Sequence, residues 1–233
     1  MRRIRIASYN TRDFLDDRAA AARVIRAIRP DVLCLQEVPR RLFSRTRVGL
    51  FAADCGLVWS GDHRGSGGTT ILTSLRVQVR ESHHFRLRVA LAQRTRGFAL
   101  VKVAPPGHLP VAVASVHLSL RPLERAAHAQ HILDTIGPGT PVVLCGDLNE
   151  DADGRAWQLI ATSLRLISPA GPTFPSRAPR TMLDVIFASP QIEVLPHESV
   201  EFDAADLAAA SDHRPTWVDI NLPAFPTNSG IPN

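Results

Sequence analysis

Residues 142–149, Val142-Val143-Leu144-Cys145-Gly146-Asp147-Leu148-Asn149, run from four consecutive apolar side chains into an acid and an amide. A short apolar run is the signature of a strand buried on both faces. A carboxylate at its end must find a partner, because an ionised group is costly to bury. The same arrangement recurs to either side. Asn10 ends the alternating segment Arg3–Asn10, and Glu37 ends the run Val32–Gln36. His117 ends Val111–Val116, Asp184 stands between Leu183 and Val185-Ile186-Phe187, and Asp212-His213 precede the strand-like segment Thr216–Leu222.

Helical stripes lie between these runs. Ala21, Val24, Ile25 and Ile28 follow the i, i+3, i+4, i+7 pattern, with Asp16 or Asp17 as N-cap and Pro30 as a stop. Ala129, Ile132, Leu133 and Ile136 form a second stripe behind Pro122, a natural first helical residue. Trp157, Ile160, Ala161 and Leu164 form a third. Thr69–Val79 and Gly97–Val103 are further strand candidates. Several strands follow one another with no helix between them, which predicts α/β architecture with mixed sheets covered by helices, not a regular βαβ array. One domain is expected over residues 1–222, and residues 223–233, rich in Pro, Asn, Ser and Gly, read as a flexible tail.

The polar residues at the strand ends carry the chemistry. Four acids (Glu37, Asp147, Asp184, Asp212), two amides (Asn10, Asn149) and two histidines (His117, His213) share one cleft if neighbouring strand ends converge. Acids so gathered repel one another unless a cation neutralises them. Oxygen donors without clustered thiolates point to a hard ion, Mg²⁺ with Mn²⁺ as substitute, and not to Zn²⁺.

At these residues the chain resembles a known family. Ser8-Tyr9-Asn10, Leu35-Gln36-Glu37, Ser115-Val116-His117-Leu118, Gly146-Asp147-Leu148-Asn149, Leu183-Asp184-Val185-Ile186 and Ser211-Asp212-His213-Arg214-Pro215 are similar, in order, to motifs of the endonuclease/exonuclease/phosphatase (DNase I-like) superfamily. The resemblance implies a four-layer α/β sandwich, two packed mixed β-sheets flanked by helices. It implies a Mg²⁺-dependent phosphodiesterase or nuclease. Glu37, Asn10 and Asp212 would then hold the metal, and Asp147 would orient or deprotonate the attacking water. Asn149 would position nucleophile and phosphate. His213, fixed by Asp184, would contact the scissile phosphate, and His117 or a metal-bound water would protonate the leaving oxygen. A carboxylate partner for His117 is expected in the nuclease branch, with Glu81 as candidate. The abasic-site endonucleases of the family carry a tyrosine where this chain has His117 and a tryptophan where it has Thr181, which argues against abasic-site repair.

Composition narrows the setting. The 233 residues carry a formal net charge of +5, and Lys102 is the sole lysine, so nearly all the positive charge is arginine, suited to bidentate phosphate contacts. Arg64, Arg94 and Arg96 are candidates for gripping substrate phosphate, against the alternative of solvated turn arginines. Phe174 is a candidate for stacking on a base or sugar, against a place in the core. Cys34, Cys55 and Cys145 lack metal-ligand spacing and read as buried hydrophobes in a reducing cytoplasm. No signal peptide or membrane span is read, and no protein partner is implied. Gly65–Gly68 lacks the Gly-Lys-Ser/Thr end of a phosphate loop, and 147–158 lacks the glycine and final acid of a calcium loop. The expected substrate is a phosphate ester, with DNA or RNA first. Small-molecule or lipid phosphates (inositol phosphates, sphingomyelin-like lipids, nucleotides) are the alternative, and a non-catalytic phosphate-binding relic comes third.

Overall fold

The computed structural model describes residues 2–60, 63, 65–91 and 93–225. The chain opens with β1 (Arg2–Asn10), whose alternate side chains face two different cores. In α1 (Arg18–Ile28) the Asp17 carboxylate accepts from the free amides of Ala19 and Ala20, so Asp17 is the cap. Next come β2 (Val32–Gln36) and α2 (Ser44–Asp54), which the sequence did not announce because only Val48, Phe51 and Ala52 are buried. The chain continues through β3 (Val58–Trp59) and β4 (Thr70–Thr73).

The strand expected over Thr69–Val79 is two strands. Ser74 N turns away to donate to Asp31 O, and Gln78 opens β5 (Gln78–Leu87), a long and largely exposed hairpin arm. Its partner β6 (Arg96–Ala104) is followed by β7 (Val111–His117), α3 (Pro122–Ile136) and β8 (Val142–Asp147). The chain ends through α4 (Arg155–Ala161), β9 (Arg165–Leu166), β10 (Asp184–Ala188), β11 (Glu193–Val194), α5 (Ala204–Ala210) and β12 (Thr216–Leu222).

Among the described residues the strands form two six-stranded mixed sheets, ordered β11-β12-β1-β2-β4-β3 and β5-β6-β7-β8-β10-β9. The layers follow from what each face buries. Val24, Ile25, Ile28 and Phe51 of α1 and α2 pack on Ala7, Tyr9, Leu33 and Leu35 of the first sheet. Ile4, Ile6, Val32 and Cys34 face Val101, Val113, Val143 and Ile186 across the centre. Ala129, Ile132, Trp157 and Ile160 of α3 and α4 cover the outer face of the second sheet. The chain is therefore a four-layer α/β sandwich. Cys34, Cys55 and Cys145 are free and buried. No helix among the described residues is long and apolar enough to cross a membrane.

The expected tail is tied down at its start. Leu109 N donates to Pro223 O, Phe225 N donates to Gly107 O, and His108 bridges Ala224, so chain pairing extends past β12 to Phe225. Residues 226–233 lie outside the described residues.

Candidate active site

Strand parity gathers the site. Side chains two residues apart share a face, and Ile4 and Ile6 point between the sheets, so Asn10 does too. The same count runs from Val32 and Cys34 to Gln36, from Val111 and Val113 to Ser115 and His117, and from Val143 and Cys145 to Asp147. On β10 it runs from Ala188 through Ile186 to Asp184. The inter-sheet layer is thus apolar until the strands end, where it turns polar. Directly beneath the site, Gln36 Nε2 donates to Ser8 Oγ and Ser115 Oγ, and Ser115 Oγ donates to Leu35 O.

Asp147 lies at the centre and is almost wholly buried. Register places it opposite His117 on β7 and opposite Asp184 on β10. Its Oδ1 accepts from Asn149 N at 2.9 Å, and its Oδ2 accepts from Asn10 Nδ2 at 3.0 Å. The Nε2 atoms of His117 and His213 stand 3.4 and 3.8 Å from the same Oδ2. Burial, and then the Asp184 carboxylate, push the Asp147 carboxyl up to about 7, against the contrary pull of His213, Asn149 N–H and Asn10. Asn149 has a left-handed backbone, φ 54°, which turns its amide back to donate to Leu118 O at 3.0 Å.

The two histidines have opposite surroundings. His213 Nδ1 is 2.8 Å from Asp184 Oδ2, which also accepts from Thr173 Oγ1. Burial disfavours the imidazolium, yet Asp184, Asp147 and Asp212 together outweigh it and raise His213 to about 9. His117 is buried, and its Nδ1 is 3.3 Å from Arg96 Nη1. A guanidinium only donates, so Nδ1 accepts and the ring hydrogen sits on Nε2, aimed at Asp147. Burial, and then Arg96, hold His117 well below its ordinary value, so it is neutral.

Glu37 follows β2 in a left-handed conformation, φ 51°, which swings it out of strand parity toward the cleft. Its Oε1 is 3.8 Å from His117 Nε2 and its Oε2 is 3.8 Å from Arg94 Nη1. Glu37 and Asp147 therefore flank one imidazole edge. Asp212, expected beside them, lies at the rim in an ion pair with Arg12 Nε at 3.3 Å.

The remaining expected residues divide. Arg94 is exposed and reaches Asp13 and Glu37, so it does face the cleft. Arg96 is a buried residue beneath the site and not a solvated turn arginine; burial lowers its own value. Phe174 packs on His213, ring centroids 4.9 Å apart, and braces that ring. Arg64 lies outside the described residues. Glu81 is no partner of His117: it sits on the exposed arm β5, paired with Lys102 at 3.1 Å. The His117 Nδ1 meets the Arg96 guanidinium, and the carboxylates near the ring, Asp147 and Glu37, stand on its Nε2 side. Sequence reading also missed Thr173, a loop residue with no motif around it, and the link from Ser211 Oγ to Asn10 O at 2.7 Å, which ties the Asp212-His213 turn to β1.

The site fits a hard cation. Glu37, Asn10, Asp147 and Asp184 bring oxygen donors, and Asp184 Oδ1 is buried without a hydrogen-bond partner. Asp147, Asp184 and His213 also place one ligand atom each within 4.8 Å of one another. In that trio, however, Asp184 Oδ2 and His213 Nδ1 are already bonded to each other. Glu37, whose side chain is a fifth exposed, is the carboxylate that remains open to an incoming ion.

The model of the Endonuclease/Exonuclease/phosphatase family matches residues 7–213. No curated protein matches the chain. Among solved structures, an endonuclease/exonuclease/phosphatase from Beutenbergia cavernae is similar at a TM-score of 0.74 and 21% identity, over 96% of this chain and 72% of that one. The mannosyl-6-phosphatase Bt3783 of Bacteroides thetaiotaomicron is similar at 0.73 and 17%, over 94% and 99%. The human Nocturnin catalytic domain is similar at 0.69 and 19%, over 94% of each chain.

Proposed function

Since the chain belongs to the endonuclease/exonuclease/phosphatase family, a family of phosphoester hydrolases, we propose that it is a metal-dependent phosphodiesterase acting by in-line attack of water. The observation that carries the reading is Asp147, held between a charged and a neutral imidazole with a carboxyl raised to about 7. A general base works best when its pKa lies near the working pH.

Each role follows from the contacts. Asn10 and the Asn149 N–H fix the rotamer of Asp147, which takes a proton from the attacking water. His213, cationic and fixed by Asp184, donates from Nε2 to a non-bridging phosphoryl oxygen as negative charge gathers there. His117 donates a hydrogen bond from Nε2 and stays neutral throughout. A neutral imidazole N–H is too weak an acid to protonate a leaving oxygen, so the part expected of His117 narrows to positioning. Glu37 and Asn10 would hold Mg²⁺, or Mn²⁺ in its place, with Asp212 reaching it through water. Such an ion, when bound, supplies charge stabilisation to the phosphoryl and leaving oxygens.

The substrate carries further negative charge beyond the scissile phosphate. Beside Glu37 opens a groove of about 1120 Å³ lined by Arg40, Arg41, Arg45, Arg47, Arg86 and Arg94, with Asp13 the one acid among its described lining residues. A DNA or RNA strand meets that requirement. A phospholipid in an anionic bilayer meets it too, and the exposed Leu15 and Phe43 in the lining of the same groove favour that second reading. The test is hydrolysis in Mg²⁺ and Mn²⁺ of plasmid, single-stranded DNA, RNA, a soluble chromogenic diester, inositol phosphates and phospholipid vesicles. Asp147→Asn and His213→Ala are expected to lower turnover by about 10²–10³ or more. Metal-independent turnover, or near-normal turnover in either variant, contradicts the assignment.

A further inference from the structure

Leu15, Leu42, Phe43, Leu91, Leu120 and Leu123 are 65–98% exposed. With Leu75 they are the most exposed large apolar residues among those described. Exposed apolar residues scattered singly are ordinary. These six are not scattered. Leu15 follows the end of β1, Leu42 and Phe43 follow β2, and Leu91 lies in the turn before β6. Leu120 and Leu123 follow β7. Each loop begins or ends at a strand terminus that carries Asn10, Gln36 and Glu37, Arg96 or His117. Leu75 alone sits elsewhere, in the turn from β4 to β5.

Contacts tie the loops that carry them to one end of the sandwich. Leu15 and Phe43 line the same arginine groove. Arg94, from the β5–β6 turn, reaches Asp13 and Glu37. Ala90 N in that turn donates to Glu124 Oε1, and Ser119 Oγ donates to Glu124 Oε2, which seats the turn on the start of α3 beside Leu120 and Leu123. Leu15 and Phe43 thus line the arginine groove itself, and Leu42, Leu91, Leu120 and Leu123 protrude from the loops that adjoin it or follow the same strand ends.

We propose that this face docks on an anionic lipid bilayer. Aliphatic tips that enter the acyl boundary, surrounded by cations that meet lipid phosphates, are the chemistry of interfacial binding. A single-stranded nucleic acid platform instead presents aromatic faces for base stacking. Here five of the six are leucines, and Phe43 alone is aromatic. Docking in this pose brings the cleft to headgroup depth. The inference stands on surface chemistry and is independent of the catalytic roles.

The test is co-sedimentation of the full chain with phosphatidylcholine vesicles, with and without phosphatidylglycerol, over a range of salt. Binding is expected to vesicles containing phosphatidylglycerol and to weaken with salt. The double variant L42S/L123S, both changes at exposed positions, is expected to lose affinity at least about tenfold. L75S is expected to bind like the parent. Circular dichroism and turnover of any soluble ester cleaved by the parent should be unchanged in both variants. Absence of vesicle binding by the parent overturns the proposal. So does equal binding by L42S/L123S, or a loss in that variant confined to single-stranded DNA binding, which would make the rim a nucleic-acid platform. None of these outcomes touches the hydrolase reading, which Asp147→Asn tests separately.

Discussion

His117 and His213 present the same atom, Nε2, to the same oxygen of Asp147, yet one ring is neutral and the other cationic. The difference lies in what each Nδ1 meets: a guanidinium for His117, a carboxylate for His213. The folded His213 value, about 9, exceeds the ordinary 6.5, so its charged form stabilises the fold fully below about 6.5 and that contribution fades as pH rises through about 9. Activity that depends on the imidazolium should fall over the same alkaline range. Asp184→Asn removes the largest favourable partner, so the alkaline limb of kcat/KM is expected to move to lower pH; an unmoved limb would refute the pairing. Arg96 offers a separate test. Arg96→Met keeps bulk but frees His117 Nδ1. Nitrogen NMR of His117 should then show a mixture of ring tautomers and a pKa moved upward, with a rate loss of roughly 10–100-fold, as for other partners that orient a histidine. A merely packing role would leave the tautomer unchanged.

Strand pairing turns these residues into a site, and Gly146 shows how tightly. Its φ is 152°, and a Cβ added there would lie 2.0 Å from Val116 O. That close approach of β8 to β7 sets Asp147 opposite His117. Gly146→Ala is expected to force the strands apart, costing at least ~2 kcal/mol and most of the activity, as read by urea unfolding and turnover. Stability within a few tenths of a kcal/mol of the parent would disprove the role of this spacing. The buried strands were legible in sequence because β1, β2, β7, β8, β10 and β12 announce themselves by apolar runs. Elements that bury little were not. Strand β5 is exposed along most of its length, α2 hides three residues of eleven, and α5 is a short alanine-rich segment. In the site, Asn10, His117, Asp147 and Asp184 could be read because parity with the apolar core positions carries them inward, whereas Glu37, Asn149, Asp212 and His213 lie past strand ends or in a turn and were legible only from the motifs around them. Arg96 as partner of His117 could not be read. It depends on a tertiary approach in which a Cβ on Gly67 would fall 2.3 Å from the Arg96 carbonyl carbon, and no spacing in the chain encodes that.

At the scale of the whole molecule, the cleft belongs to neither sheet alone: Asn10 and Glu37 come from one, His117, Asp147 and Asp184 from the other, and the turn before β12 supplies His213. A ligand that bridges them binds the folded chain and not the unfolded one, and so stabilises it by mass action. At a Mg²⁺ concentration about 100 times Kd the gain is ~2.7 kcal/mol, or roughly 5–10 °C in Tm for a chain of this size. EDTA should reverse it. The variants separate the two donor sets that the geometry offers. If Glu37 and Asn10 hold the ion, Glu37→Gln abolishes the Mg²⁺-dependent increment while Asp184→Asn, measured against its own metal-free baseline, retains most of it. If the trio of Asp147, Asp184 and His213 holds it instead, the pattern inverts. Retention of the full increment in Glu37→Gln would remove Glu37 from the metal site and with it the reason for its left-handed backbone.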